Sequence, residues 1–356
     1  VKLELPELAS DLEGETVLIT GAAGSIGSEL ARQVALHAPG KLILVDQAET
    51  PLFYIDLELR RDHPDLDVEA QLVDVTDQVR LDHVFSLHEP SRVFHAAAYK
   101  HVPMMEGHPR AAVHNNVLGT WLVAKAAGEH GAERFVLVST DKAVRPMSVM
   151  GATKRIAELV TLYLQDWYPD TAFGAVRFGN VLGSNGSVIP LFKRQLEAGE
   201  PLTVTHGDVT RFFMTIPEAV QLILQASLLS KIKGGIAMLE MGEPIPILEL
   251  AKTLLRLSGK SARVGRDIVI MGLRPGEKLH EELAAPDEKV IQTGIDKVNL
   301  LDTSIVRLPE PIANAIDEGR VQDVLAYLKT EILGVDQETD FTLEVGRPVA
   351  QAVGSD

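Results

Sequence analysis

Thr16-Val-Leu-Ile-Thr20-Gly21-Ala-Ala-Gly24-Ser25-Ile26-Gly27 is the stretch that decides the fold. Its first five residues form a short β-branched and aliphatic run, the pattern of a strand covered on both faces. Glycines follow at 21, 24 and 27, and Ser28 to Leu36 reads as a helix. That glycine spacing permits a tight turn, lets backbone approach a pyrophosphate and lets the helix pack against the strand. The helix N-terminus then offers unpaired N–H groups to phosphate oxygens. Lys41-Leu-Ile-Leu-Val45 supplies a second strand that ends in Asp46. Together these pieces make a dinucleotide-binding unit, with Gly21, Gly24, Ser25, Ile26 and Gly27 as the cofactor contacts. Asp46 favours NAD, because a carboxylate accepts hydrogen bonds from ribose hydroxyls and repels an added phosphate; a strand-end cap is its ordinary alternative. Arg60 and Arg61 fall on the following helix, away from Asp46, and give no sign of NADP.

The alternation continues outward. Val68 to Val73 reads as a third strand, with Asp74 and Val75 placed to meet the adenine; capping the helix that begins near Asp77 is the other role open to Asp74. Arg92 to Ala98 is the next strand and its exit, where Ala96 and Ala97 are small enough for the backbone to approach the cofactor. Tyr99 to Pro109 reads as irregular and carries Lys100, His101 and Glu106. His95, His101 and His108 do not share one side of a helix, so no metal site is expected. A helix is predicted over 111–130, with Asn115 and Asn116 in need of partners if buried.

Arg134-Phe-Val-Leu-Val138 is another buried strand, and Ser139 to Lys154 follows it. Thr140, Asp141 and Lys142 therefore stand just past a strand's carboxyl end, where open α/β sheets place their chemistry. An acid and an amine beside a hydroxyl can move protons on a polar substrate; a solvated turn is the alternative. Gly151 begins a helix running to about Tyr168, and Lys154 lies one turn beyond Met150 on the same face. From that face Lys154 can bond the nicotinamide ribose, or it is a solvated lysine.

Ala172 to Arg177 is a further strand, after which Gly183, Gly186 and Pro190 lead the chain out of the sheet. Helices are expected at 190–199, 217–229, 247–258 and 318–332. Extended pieces are expected at 201–205, 210–215 and 236–241, and a turn followed by a charged helix at 273–280. The end from Asp336 reads as extended or disordered. The fold class is thus α/β, a Rossmann-type doubly wound parallel sheet with a smaller C-terminal substrate-binding lobe. Its parts are a lead-in or linker at 1–13, an NAD-binding core at 14–181, a substrate lobe at 182–300 with core elements returning near 236–241, and a partly flexible extension at 301–356. Arg211 and Arg274 suit a diphosphate because a guanidinium fork makes paired bonds, with a surface position as their alternative.

The totals narrow the function classes. With 356 residues and 46% hydrophobic content the chain builds a large core, and a net charge of -16 argues against a nucleic-acid or anionic-membrane surface. Absence of cysteine removes disulfides, thiolate nucleophiles and cysteine metal sites. No apolar run is long enough to span a bilayer. The sequence opens at Val1 without an initiator methionine, so that statement covers this piece alone.

Over roughly residues 12 to 300 the chain resembles the extended short-chain dehydrogenase/reductase superfamily. Within it, the chain looks like the nucleotide-sugar 4,6-dehydratases of the bacterial polysaccharide-biosynthesis type that act on UDP-N-acetylglucosamine. The carriers are Gly21 to Gly27, His95-Ala-Ala-Ala-Tyr-Lys-His-Val-Pro103, Ser139 to Lys154, Arg177-Phe-Gly-Asn-Val-Leu-Gly-Ser184, Arg211-Phe-Phe-Met-Thr-Ile216 and Arg274-Pro-Gly-Glu277. The resemblance implies bound NAD and a UDP-sugar. C4 is oxidised, water leaves across C5 and C6, and hydride returns to C6 with the C5 configuration retained. Thr140 would hold the C4 oxygen, Lys142 remove the C5 proton and Asp141 protonate the departing hydroxyl. Lys100, Asn180, Lys193, Arg211, Arg274 and Glu277 would bind substrate, Glu277 at the uridine ribose; Lys193 fits an exposed helix face equally well.

Met150 stands where most of the superfamily has tyrosine. The departure points to the large dehydratases and leaves the C4 base open between Lys154 acting through water and Asp141 used twice. A C5-inverting dehydratase, a 4-epimerase and a non-catalytic NAD-binding protein are the competing readings. Val1 to Leu8 looks like the linker that joins a multi-span membrane region to a cytosolic catalytic domain. The resemblance thus implies an inner-membrane protein in full length, and a homo-oligomer.

Overall fold

The computed structural model describes residues 6–229, 232–302 and 307–335. After α1 (Pro6–Leu12) the chain alternates β1 (Thr16–Thr20), α2 (Ser25–Ala35), β2 (Lys41–Asp46), α3 (Glu49–Asp62), β3 (Asp67–Leu72), α4 (Gln78–His88) and β4 (Arg92–His95). Next come α5 (Val102–Glu106), α6 (Pro109–Val113), α7 (Gly119–Glu129), β5 (Arg134–Val138), α8 (Val149–Trp167) and β6 (Ala172–Arg177). These six strands pair in parallel in the order β3-β2-β1-β4-β5-β6. The order reverses between β1 and β4, and a crevice opens at that switch beyond the strands' carboxyl ends. Successive strand residues feed opposite layers. Leu18, Ile43 and Phe135 pack with α7 and α8 residues in one core. Val17, Leu42 and Val136 pack with α2 and α10 residues in the other.

Beyond β6 lie β7 (Asn180–Leu182), α9 (Val188–Glu197), β8 (Leu202–Val204), β9 (Thr210–Arg211), β10 (Phe213–Thr215), α10 (Ile216–Ser227) and β11 (Gly235–Leu239). β12 (Ile245–Pro246), α11 (Ile247–Leu257), β13 (Ile268–Ile270), β14 (Val290–Gln292), β15 (Val298–Leu301), α12 (Glu310–Asp317) and α13 (Val321–Tyr327) complete it. β11 rejoins the main sheet parallel to β6, but β15 and β14 add antiparallel strands, so the nine-stranded sheet is mixed. A small separate core of Phe192, Leu202, Val204, Ile247, Ala251 and Leu255 holds the lobe together.

Several expectations are corrected. The described part of the lead-in is helical over Pro6–Leu12: Leu8 and Leu12 are buried, and Asp11 binds Arg92 and Arg134 at 3.3 and 2.6 Å. The segment after Tyr99 contains α5, with proline in its first turn. The helix expected over 111–130 is interrupted by a π-turn at His114–Leu118, which buries Asn115 and Asn116. No helix forms at 273–280, because Arg211 bonds the Lys278 and Leu279 carbonyls and holds that chain in a loop. The predicted 318–332 helix is α13 followed by a π-turn at Leu328–Ile332. With α12 it lays Ala313, Ile316, Val324 and Leu328 into the main core. Residues 1–5 and the tail 336–356 lie outside the described residues. Among the described residues no helix is long and apolar enough to cross a membrane.

Candidate active site

Gly21 turns the chain from β1 into α2 at φ +65°, and a Cβ there would lie 2.6 Å from Ala97 N. Only glycine meets both demands, and the β4 exit closes on the turn as a result. α2 begins without a side-chain cap, so its first N–H groups stay available beside Gly24, Ser25, Ile26 and Gly27 on a cavity wall. Ala96 lines the same wall, with Ala97 behind Gly21. Asp46 ends β2 and accepts hydrogen bonds from Ala23 N and Ala48 N, both at 2.9 Å. Asp74 folds back on Thr76, whose N and Oγ1 lie 2.9 and 2.8 Å from Oδ1, while Asp77 caps α4. Val75 is buried under Gly119. Asp46, Asp74 and Val75 thus lie outside the cavity wall that the glycines form.

The cavity measures about 640 Å³, within the range of small-molecule sites, and runs from this cradle to the lobe. β5 delivers Thr140, Asp141 and Lys142 into its middle. The Thr140 hydroxyl donates to Asp141 Oδ1 at 2.8 Å, and Lys142 Nζ donates to the same oxygen at 3.0 Å and to Asn180 Oδ1 at 2.9 Å. Thr140 and Lys142 line the cavity, whereas Asp141 has no exposed surface and its Oδ2 has no partner among the described residues. The turn is pinned from outside, because Asp141 N donates to Phe178 O at 2.9 Å. A Cβ on Gly151 would lie 2.3 Å from Lys142 O, so glycine there lets α8 abut the turn. Glu106 and Ser148 fix the start of α8 through Val149 N and Gly151 N at 2.7 and 3.0 Å.

On the same helix Met150 and Lys154 line the cavity. Lys154 makes no hydrogen bond or ion pair with the described residues, and burial brings its ammonium down to about 8, with Glu158 opposing that shift. Near it His95 is fully buried. Thr120 gives its proton to Asn116 O at 2.6 Å, so it accepts from His95 Nε2 at 3.0 Å, and Thr20 then donates to Nδ1 at 2.7 Å. Burial, with the Lys154 charge, lowers His95 to about 3 and keeps it neutral. Glu158, one turn beyond Lys154, accepts from Ser139 at 2.7 Å and from Arg177 at 3.1 and 2.9 Å, and so fastens α8 to β5 and β6.

From the lobe side Arg211 is buried, with its guanidinium engaged by Glu277 at 3.2 Å and by the carbonyls of Thr210, Lys278 and Leu279. Glu277 also takes Arg274 N at 3.2 Å, and the Arg274 side chain is half exposed at the mouth. Lys100 lines the cavity from an exposed position; Lys193 is exposed on α9 and lies off the cavity wall. Sequence reasoning missed Glu281 and Lys278, which both line the cavity. Glu281 Oε1 is 3.9 Å from both Lys142 Nζ and Arg211 Nε, and its Oε2 is buried without a partner. The available signal was the Glu281-Glu282 pair: in a loop, adjacent carboxylates diverge, and Glu282 pairs outward with Arg145.

A family model described as polysaccharide biosynthesis protein matches residues 17–302. The chain belongs to that family. This family member is 48% identical over 300 residues to the capsular polysaccharide biosynthesis protein CapD of Staphylococcus aureus, covering 84% of this chain and 50% of the relative. It therefore spans about half the length of that protein. It is 33% identical to a UDP-glucose 4-epimerase of Rickettsia canadensis, over 77% of this chain and 79% of the relative. It is 30% identical to an inverting UDP-N-acetylglucosamine 4,6-dehydratase of Campylobacter jejuni, over 82% and 84%. Among solved structures, Pen from Bacillus thuringiensis superposes with a TM-score of 0.75 at 30% identity, covering 83% of this chain and 90% of that one.

Proposed function

We propose that this family member removes water from UDP-N-acetylglucosamine to give the 4-keto-6-deoxy sugar nucleotide, with NAD as resident cofactor and the C5 configuration retained. The observation that carries the reading is the Lys142-Asp141 contact at 3.0 Å between the glycine cradle and the lobe arginines. An epimerase acts at C4 alone and has no use for an acid and a base side by side. The uncapped α2 N-terminus fits a pyrophosphate, Asp46 fits the adenosine ribose, and the unpartnered Lys154 amine fits the nicotinamide ribose. NAD supplies reversible hydride exchange with the sugar at C4 and C6.

The remaining work belongs to side chains. Thr140 Oγ1 orients the C4 oxygen. Once C4 is a ketone the C5 proton is acidic, and Lys142 removes it as a neutral amine. The C6–O bond breaks as the proton of Asp141 goes to the departing hydroxyl, and water leaves. Asp141 meets the cavity only through Thr140 and Lys142, so its proton travels along those contacts. When C6 is reduced, Lys142 returns a proton to C5 on the face it left, which regenerates the neutral amine, and the C4 hydroxyl proton replaces the one that Asp141 gave up. Met150 has no proton to exchange, which assigns the C4 hydroxyl proton to Lys154 through water or to Asp141. Arg274 and Glu277 receive the nucleotide end, with Lys100 and Asn180 nearer the sugar.

Incubation with UDP-N-acetylglucosamine and catalytic NAD in deuterated water, followed by NMR, tests this. The expected product is a 4-keto-6-deoxy sugar with deuterium at C5 and unchanged C5 configuration. An inverted C5 or a C4 epimer moves the assignment, and no conversion sinks it. The half-length match agrees with a domain of a larger protein; its membrane link, cytosolic side and homo-oligomeric state are proposed from the family resemblance alone.

A further inference from the structure

Among the described residues Glu281 is the one carboxyl on the cavity wall for which the proposed chemistry has no role, and its setting differs from that of the paired acids nearby. Its side chain is 4% exposed. Neither oxygen accepts a hydrogen bond from the described residues: Oε2 has no partner, and Oε1 stands 3.9 Å from two cations, beyond hydrogen-bond reach. A buried carboxylate normally gathers donors, because leaving its charge unbonded costs several kcal/mol. Glu158, equally buried, has donors on both oxygens. Arg211 does not fill the role for Glu281, since its guanidinium is engaged by Glu277 and three carbonyls.

The charged groups facing Glu281 are Asp141 and Lys142 from the turn after β5, Arg211 from β9 and Lys278 from its own loop; Arg145 and Glu282 pair outside. Lys278 Nζ is spent on Val144 O at 2.7 Å. Lys142 is the cation whose charge the reaction must change. We propose that Glu281 is a positioning residue that works as a neutral carboxylic acid behind Lys142, and that its ionisation fixes the proton on Lys142 and stops it acting as a base.

With Glu281 neutral, Asp141 is the only anion on the ammonium among the described residues, and a proton can pass from Lys142 Nζ to Asp141 Oδ1 across 3.0 Å. That transfer makes the amine and the acid the elimination needs, with no proton gained or lost by the pair. With Glu281 ionised, a second negative charge 3.9 Å away holds the proton on nitrogen. Burial pushes the Glu281 carboxyl upward, in the direction the neutral form requires.

This inference rests on the dehydratase reading for its consequence, but its first test needs no substrate. Reductive methylation with ¹³C-formaldehyde labels the lysines, and Lys142→Arg assigns the Lys142 signal. Above the pH at which Glu281 ionises, the Lys142 signal of Glu281→Gln should be less protonated than that of the wild type, and below it the two should match; identical signals throughout overturn the proposal. In the wild-type protein, the ¹³C-carboxyl resonance of Glu281, assigned with Glu281→Asp, should sit at the protonated position at pH 7. A signal at the ionised position overturns it whether or not the Gln variant folds. In turnover, Glu281→Gln should lose the alkaline fall in kcat that Glu281 ionisation imposes; a variant whose kcat falls at the same alkaline pH as the wild type overturns the proposal. A wild type that fails to convert UDP-N-acetylglucosamine counts against the dehydratase, while the titrations still judge Glu281.

Discussion

Two buried charge clusters sit beside each other at the carboxyl ends of β5 and β6, and neighbouring hydroxyls serve them. Ser139 donates to Glu158 at 2.7 Å, and Thr140 donates to Asp141 at 2.8 Å. In the first cluster both oxygens of Glu158 are occupied by Ser139, Arg177 and Arg155, while Arg177 also reaches Glu288 at 2.7 Å and Leu283 O. Burial resists its charges, but the Arg177 attraction brings Glu158 down to about 2 and Arg177 is raised in return. In the second cluster Asp141 Oδ2 and Glu281 Oε2 are buried without partners among the described residues, and the cation bonded to Asp141 is a lysine. A guanidinium keeps its proton under all ordinary conditions, whereas a buried ammonium can surrender one. On the proposed reading, the complete network with arginine fastens the fold and the incomplete one with lysine does the chemistry.

The largest expected effect separates the two in kind. Lys142→Met should lower kcat per folded molecule roughly 10²–10⁴-fold, whatever stability is lost by stranding the buried Asp141 carboxylate; steady-state kinetics corrected for the folded fraction by urea denaturation check it. Undiminished turnover would break the comparison. Arg177→Met should do the reverse, costing about 3–5 kcal/mol of stability by stranding Glu158 and Glu288, with kcat per folded molecule near that of wild type.

Lys154 sits between the clusters and sharpens the contrast through pH. Its folded value of about 8 lies below its ordinary 10.5, so between those values the unfolded chain holds more protons and stability climbs with pH. Below pH 8 the cost of burying the charge is complete, and above 10.5 it is gone. Lys154→Met should therefore stabilise the nucleotide-free protein at pH 7, by up to about 3 kcal/mol, and by nothing at pH 11, as read by denaturant titration at both values. Equal effects at the two pH values would mean that the amine is not buried as a charge.

The finest test uses consecutive residues. Ser139→Ala should cost about 1.5–3 kcal/mol of stability, as loss of a hydrogen bond to a charged group does, and leave kcat alone. Thr140→Val removes the equivalent bond to buried Asp141 and should cost a similar amount, about 1.5–3 kcal/mol, but unlike Ser139→Ala it should also slow turnover roughly tenfold, the worth of one hydrogen bond to the reacting oxygen. Similar turnover in both variants would erase the distinction.

The main sheet was legible because its strands are buried on both faces and their apolar runs are short and bounded by glycine or polar residues. Thr140, Lys142, Met150 and Lys154 were placeable for the same reason: a strand end and one helical turn fix where they stand. What escaped the sequence depends on contacts distant along the chain. The antiparallel β14 and β15 look like loop until β11 offers an edge. The 273–280 segment carries helix-forming residues, yet Arg211, more than sixty positions earlier, takes its carbonyls. The π-turn at His114–Leu118 follows from burying Asn116 against Tyr99 and Thr153, which no local pattern announces. Glu281 was hidden inside a run of charge that reads as surface.

The clasp of α1 has a practical side. Asp11 holds Arg92 and Arg134, the first residues of β4 and β5, so the helix is moored where those strands begin. The strands then run about 15 Å, at roughly 3.3 Å per residue, before the reacting side chains appear. A bead or sensor chip coupled ahead of α1 would grip the molecule by its far end. Substrate would reach the mouth of an immobilised enzyme from open solution, at the rate it does when the protein is free.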